Sequence, residues 1–193
     1  MSHNDNPNPQ SLESVDDWYA ADDIADHTNE TLFPQLTDEQ LDLLSDAGTC
    51  RVYEPGELLF AQDQKFAPFI VVKSGHVVFF DRTSQKSNEY FAHVRARMFI
   101  GDTSIFTGMP TVAEARALEN TDAIELTNED FRNLVRSNSE FGDLVLTTMM
   151  ARREWLEGHN RGQLQIVGPF SCPGTYEMRE FLGRNQIPFN WTD

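Results

Sequence analysis

Between residues 51 and 126 the chain is broken into short apolar runs by turn residues, and this punctuation restricts the fold more than any other feature. Runs at 51–53, 58–60, 69–72, 77–81, 89–94, 114–118 and 123–126 are too short for ordinary helices and rich in Val, Ile and Phe, which predicts strands. Glu54-Pro55-Gly56 is a turn in which Pro presets φ and Gly admits positive φ. Lys73-Ser74-Gly75 turns one hairpin, the polar run 82–88 another, and Asn120-Thr121-Asp122 separates the last two strands. Strands at such regular spacing predict a barrel or a sandwich.

Charge separates this region from what precedes it. Residues 1–50 hold 12 Asp and Glu and no Lys or Arg, out of a net charge of -16 for the 193 residues. Residues 1–30, rich in Asn, Asp, Pro and Ser, are expected to form a disordered acidic arm. Trp18, Tyr19 and Ile24 make a short amphipathic segment that can dock on the body or on a partner, although a solvated stretch is the plainer reading. A field of this sign repels phosphate backbones and anionic lipid, so neither nucleic acid nor a membrane is expected as a partner, while one small anion can still sit in a local basic pocket. Two cysteines, Cys50 and Cys172, supply neither a disulfide framework nor a closed thiolate metal site. His27, His76, His93 and His159 lack metal-ligand spacing, so no metal is expected. With no apolar stretch of membrane-spanning length and no signal peptide, a cytoplasmic setting is expected, and the sequons at Asn29 and Asn190 are chance matches.

Helical periods flank the strands. Thr37 with Gln40 three residues on has the form of a capping box, Leu41, Leu43 and Leu44 give an apolar face, and Gly48 a stop. Thr127 with Asp130 starts a helix carrying Phe131, Leu134 and Val135. A longer one over 139–157 carries a stripe of Phe141, Leu144, Val145, Thr148, Met149, Arg152, Trp155 and Leu156, which serves packing on the β-region or a homodimer interface. Residues 164–167 read as a strand, 175–185 as a helix with Met178, Phe181 and Leu182 inward, and 187–191 as extended. Together they make a β-α-β piece too small to fold alone.

The informative stretch is 99–117. A strand runs into Gly101-Asp102-Thr103-Ser104 and a short helical turn, which Gly108 and Pro110 end before Thr111-Val112-Ala113 and another strand. Backbone N–H groups at such a turn form an anion cradle beside a carboxylate that can accept from ribose hydroxyls. Here the sequence resembles the cyclic-nucleotide-binding family: a lead-in helix at 32–44, Glu54-Pro55-Gly56-Glu57-Leu58-Leu59, Ser74-Gly75, and Phe99-Ile100-Gly101-Asp102 opening the phosphate-binding cassette, in register over roughly 32–135. The resemblance implies a mainly β fold with flanking helices, the double-stranded β-helix or jelly roll called the β-roll. It places the cyclic-phosphate site on Gly101, Asp102, Thr103, Ser104, Thr111, Val112 and Ala113. In the family an acidic residue, usually Glu, accepts from the ribose 2′-OH and an Arg pairs with the phosphate. Here the acid is Asp102, and Thr111 stands at the Arg position. Losing a bidentate, charge-assisted contact removes one of the strongest phosphate interactions, so a weakened pocket is expected and cyclic nucleotide is a doubtful ligand. Two further candidate anion contacts are Arg97, where the family has Gly, and Arg116, which alternation puts on one face with Glu114 and for which an ion pair with Glu114 is the plainer role.

The tail, with Leu164-Gln165-Ile166-Val167-Gly168, Thr175-Tyr176-Glu177-Met178-Arg179-Glu180-Phe181-Leu182-Gly183-Arg184-Asn185 and Ile187-Pro188-Phe189, looks like the connector of bacterial thioredoxin-reductase-like flavoproteins that carry such a domain at the N-terminus. A flavin reductase domain or subunit is the partner this implies. No Gly-x-Gly-x-x-Gly fingerprint occurs, so the chain is expected to be no enzyme and to hold no cofactor itself. Cys172-Pro173-Gly174-Thr175 sits where glutaredoxin-like proteins carry Cys-x-x-Cys, but Thr175 replaces the second cysteine and a bystander thiol is the plainer reading. A catabolite-activator-type transcription regulator would continue into a helix-turn-helix, which 163–193 does not resemble. The expected organisation is an arm over 1–30, a β-roll with its C-terminal helices over 31–160 and the connector over 161–193, acting as a regulatory sensor or, alternatively, as a ligand-free interaction module for a flavin reductase.

Overall fold

A computed structural model of the chain describes residues 14–82, 88–159, 164–185 and 189–193 and divides into two units between Met149 and Met150. In the first unit a 3-10 turn at Val15–Asp17 leads to β1 (Tyr19–Ala20), α1 (Asp38–Ala47), β2 (Thr49–Tyr53), β3 (Leu58–Phe60), β4 (Phe69–Ser74), β5 (His76–Phe80), β6 (Glu89–Arg95) and β7 (Phe99–Ile100). After these come α2 (Asp102–Thr107), β8 (Glu114–Ala117), β9 (Thr121–Leu126), α3 (Asn128–Ser137) and α4 (Ser139–Gly158), the last running on into the second unit.

Local chemistry sets the helix ends. Thr37 Oγ1 accepts from the Gln40 amide while Gln40 Oε1 accepts from the Thr37 amide, the reciprocal box read from the sequence. Thr127 caps α3 by accepting from the Asp130 amide, while its hydroxyl donates to the Asp130 carboxylate. Gly75 turns β4 into β5 at φ +88°, where an added Cβ would lie 2.5 Å from the Asn120 carbonyl oxygen.

The strands form a five-stranded sheet ordered β1-β6-β5-β8-β3 and a four-stranded sheet ordered β2-β9-β4-β7. This is the β-rich jelly roll with flanking helices that the strand pattern and the resemblance implied. Register decides which side chains share a face: Val78 lies opposite His93 on β6 and Arg116 on β8, while Val77 lies opposite Val94 and Ala117. One core cluster joins Phe69, Val71 and Phe99 of the four-stranded sheet to Leu44 of α1, Ile105 of α2, Phe131 and Leu134 of α3, and Phe141 and Val145 of α4. Phe69 stacks on Phe99 with ring centroids 5.1 Å apart and meets Phe131 at 4.7 Å.

The arm departs from expectation. Residues 1–13 lie outside the described residues, but from Ser14 onward the arm is ordered on the body, so a disordered segment over 1–30 is corrected for 14–30. Tyr19 and Ala20 pair in parallel with Glu89 and Tyr90, Trp18 packs edge-on against Phe80 at 4.9 Å, and Ala21 and Ala25 are buried. Backbone pairing to an open strand edge, with one aromatic anchor, offsets the hydration of the carboxylates, which stay outward.

The second unit, described by itself, contains β10 (Leu164–Val167), α5 (Pro173–Arg184) and β11 (Phe189–Thr192), with β10 and β11 parallel. This is the β-α-β piece expected, with its helix starting two residues earlier because Pro173 is suited to a first helical turn. Its inward face is corrected. Thr175 and Leu182 are buried, whereas Met178 and Phe181 are exposed, since a two-stranded sheet is too narrow to cover a wider stripe. Ile187-Pro188 and most of the 82–88 turn lie outside the described residues.

Candidate functional site

The cassette begins where β7 ends. Gly101 takes φ +87°, and a Cβ there would lie 2.1 Å from the Pro68 carbonyl oxygen, so both backbone conformation and close approach require glycine. Asp102 and Ser104 are buried in α2, Thr103 and Val112 are half-buried, and Ala113 is buried. Ser104 Oγ has no hydrogen-bond partner among the described residues. Gly108 closes α2 in the left-handed region.

Thr111, at the position of the family arginine, is joined to a neighbouring loop. Its hydroxyl donates to the Ala61 carbonyl at 2.5 Å and accepts from the Gln64 amide at 3.0 Å. Its own amide donates to Gln64 O at 3.0 Å and its carbonyl accepts from the Asp63 amide at 2.9 Å. Four hydrogen bonds therefore close the end of the cassette onto residues 61–64. Nothing in the polar run Ala61-Gln62-Asp63-Gln64 signalled this, because Asp63 reaches φ +62° without being glycine.

The two arginines considered as anion contacts are both engaged within the fold. Arg97 donates through Nε to Leu36 O at 2.9 Å and pairs with Asp38 at 2.7 Å, tying the start of α1 to the β6–β7 turn. Its φ of +71° explains why glycine suits that position. Arg116 pairs with Glu114 at 2.5 Å and donates to Gly56 O at 2.8 Å, the ion pair that alternation indicated.

The cassette packs against the helices that follow the sheets. Ile105 belongs to the same core as α3 and α4, and Phe106 meets Phe131 edge-on at 5.4 Å. In the second unit Cys172 is the N-cap of α5 and is exposed. Hydrogen bonds from the Thr175 amide first, then from the Thr175 hydroxyl and the Gly174 amide, hold its thiol below the ordinary cysteine range. Among the described residues no cluster suited to a metal occurs, and no helix is long and apolar enough to cross a membrane.

The cyclic nucleotide-binding domain model matches residues 50–138. Among solved structures, one from work on a cyclic-GMP-dependent signalling pathway in bacterial phytopathogenesis is similar at TM-score 0.55 and 21% identity, over 62% of this chain and 95% of that one. The catabolite activator protein of Thermus thermophilus is similar at TM-score 0.52 and 28% identity, over 64% of this chain and 58% of its own. The N-terminal domain of a transcriptional regulator from Streptomyces coelicolor A3(2) is similar at TM-score 0.50 and 26% identity, over 69% and 92%. No curated protein matches the chain.

Proposed function

We propose, for a chain that carries a cyclic nucleotide-binding domain, that it is a regulatory module whose cyclic-phosphate pocket is weakened. In this reading the position of the cassette passes through Ile105 and Phe106 to α3 and α4, and from there to a partner. The observation that carries the reading is Thr111, whose hydroxyl is committed to Ala61 and Gln64 where an arginine would face a phosphate. Hydrogen bonds to charged groups contribute roughly 1.5–3 kcal/mol each, so loss of the arginine lowers affinity by about one to two decades or more. Gly101, Asp102, Thr103, Ser104, Val112 and Ala113 would form the rest of the pocket.

Isothermal titration of the full chain with cyclic AMP and with cyclic GMP tests this. Binding weaker than micromolar is expected for both, with Thr111→Arg tightening one of them at least tenfold by order of magnitude. Micromolar or tighter binding by the unaltered chain overturns the reading.

The partner fitting the connector resemblance is a cytoplasmic thioredoxin-reductase-like flavoprotein. Exposed Val167, Phe170, Tyr176, Met178 and Phe181 in the second unit favour an interaction role there. Failure of the chain to comigrate with such a reductase in gel filtration would remove that part of the proposal.

A further inference from the structure

The N-terminal arm has no part in the relay just proposed, yet it carries a titratable cluster. The Tyr19, Ala21 and Ala25 amides donate to the Asn88, Tyr90 and Phe91 carbonyls at 3.1, 2.8 and 2.8 Å, so the arm extends the free edge of β6. Regular pairing covers only two residues, and the rest of the hold includes two ring contacts: Trp18 on Phe80, and His27 on His93 at 4.6 Å with the rings nearly perpendicular.

The surroundings of His93 are cationic. His27 meets it from the arm, Arg95 follows two residues along β6, and His76 of β5 lies opposite Arg95. The nearby carboxylates are engaged: Asp26 binds the Thr28 amide and hydroxyl and also attracts His27, Glu119 binds His76, and Glu114 binds Arg116 on the same sheet face. His93 Nε2 is buried with no hydrogen-bond partner among the described residues.

We propose that the arm is an acid-released strap, in which charging His93 where it meets the His27 ring lifts the arm from β6 and uncovers that strand edge together with Phe80. Burial first, then the positive charges of His27, Arg95 and His76, lower the pKa of His93 from 6.5 to about 4. Of these causes the arm supplies His27, so a released arm lets His93 accept a proton more readily. Docking is at full strength above the unperturbed value of 6.5 and weakens as pH falls toward 4, by up to about tenfold per pH unit for one proton.

The test is amide exchange by NMR on the full chain, corrected for intrinsic rates, comparing Ala21 and Ala25 with Val72, whose amide bonds Met98 O in the core. Between about pH 6.5 and pH 5 the arm amides should lose protection, by up to about tenfold, while Val72 keeps its own. His93→Phe, which keeps a ring but cannot be charged, should abolish the dependence. His27→Gln should reduce it, and remains informative if His93→Phe fails to fold. Arm protection that does not change with pH, an equal loss in both variants, or parallel loss at Val72 would overturn the proposal.

Discussion

Thr111 donates to Ala61 and accepts from Gln64, so removing its oxygen while keeping its shape leaves two part-buried backbone groups without partners. Thr111→Val should lower stability by about 1–3 kcal/mol, measured by urea denaturation, whereas Thr111→Ser, which keeps the hydroxyl, should retain most of the parent stability. A valine variant as stable as the parent would show that the contact is incidental. That position 111 departs from the family pattern was legible in the sequence, as were the Thr37 capping box and the Glu114–Arg116 pair, because each depends on spacing along one segment. What Thr111 binds was not legible. Its partners lie 47 and 50 residues away in a loop whose positive φ falls on Asp63 rather than glycine. Arg97 escaped for a similar reason: its charge pointed to an anion, whereas its backbone at φ +71° and its contact with Leu36 make it a joint.

At the level of elements, strands with several residues in register were readable from short apolar runs between turn residues, α1 and α3 from their caps and periods, and α4 from its period. β1 was not, since a two-residue strand has no period and its partner β6 comes much later in the chain. In α5 the apolar stripe was visible but its covered part was not, because the number of strands beneath it decides which residues are buried. The N-terminus of α5 makes a sharper prediction. Cys172 and Cys50 are both exposed, yet Cys172 stands at a helix N-terminus, where the nearby Thr175 and Gly174 N–H groups lower its pKa. Cys172 should therefore be alkylated faster by iodoacetamide near neutral pH, as read by mass spectrometry, and should stay reactive at lower pH than an ordinary thiol. Thr175→Val should narrow the difference. Equal rates at the two cysteines would contradict this account.

At the scale of the whole molecule, α4 exposes Leu146 and Met150 one turn apart. If α4 is the dimer element, the chain sediments as a dimer and the double substitution Leu146→Glu with Met150→Glu makes it a monomer. A monomeric parent chain would remove that role from α4. The arm carries a different kind of consequence, one of time. Tyr19 pairs with Glu89, so during synthesis the arm leaves the ribosome long before its docking strand exists. At about 5–20 residues per second that interval lasts several seconds. Six carboxylates between residues 14 and 30, with no Lys or Arg among them, keep the segment hydrated meanwhile. Trp18 and His27 can close over the sheet only once β5 and β6 have been made, so a segment made early must wait for its place.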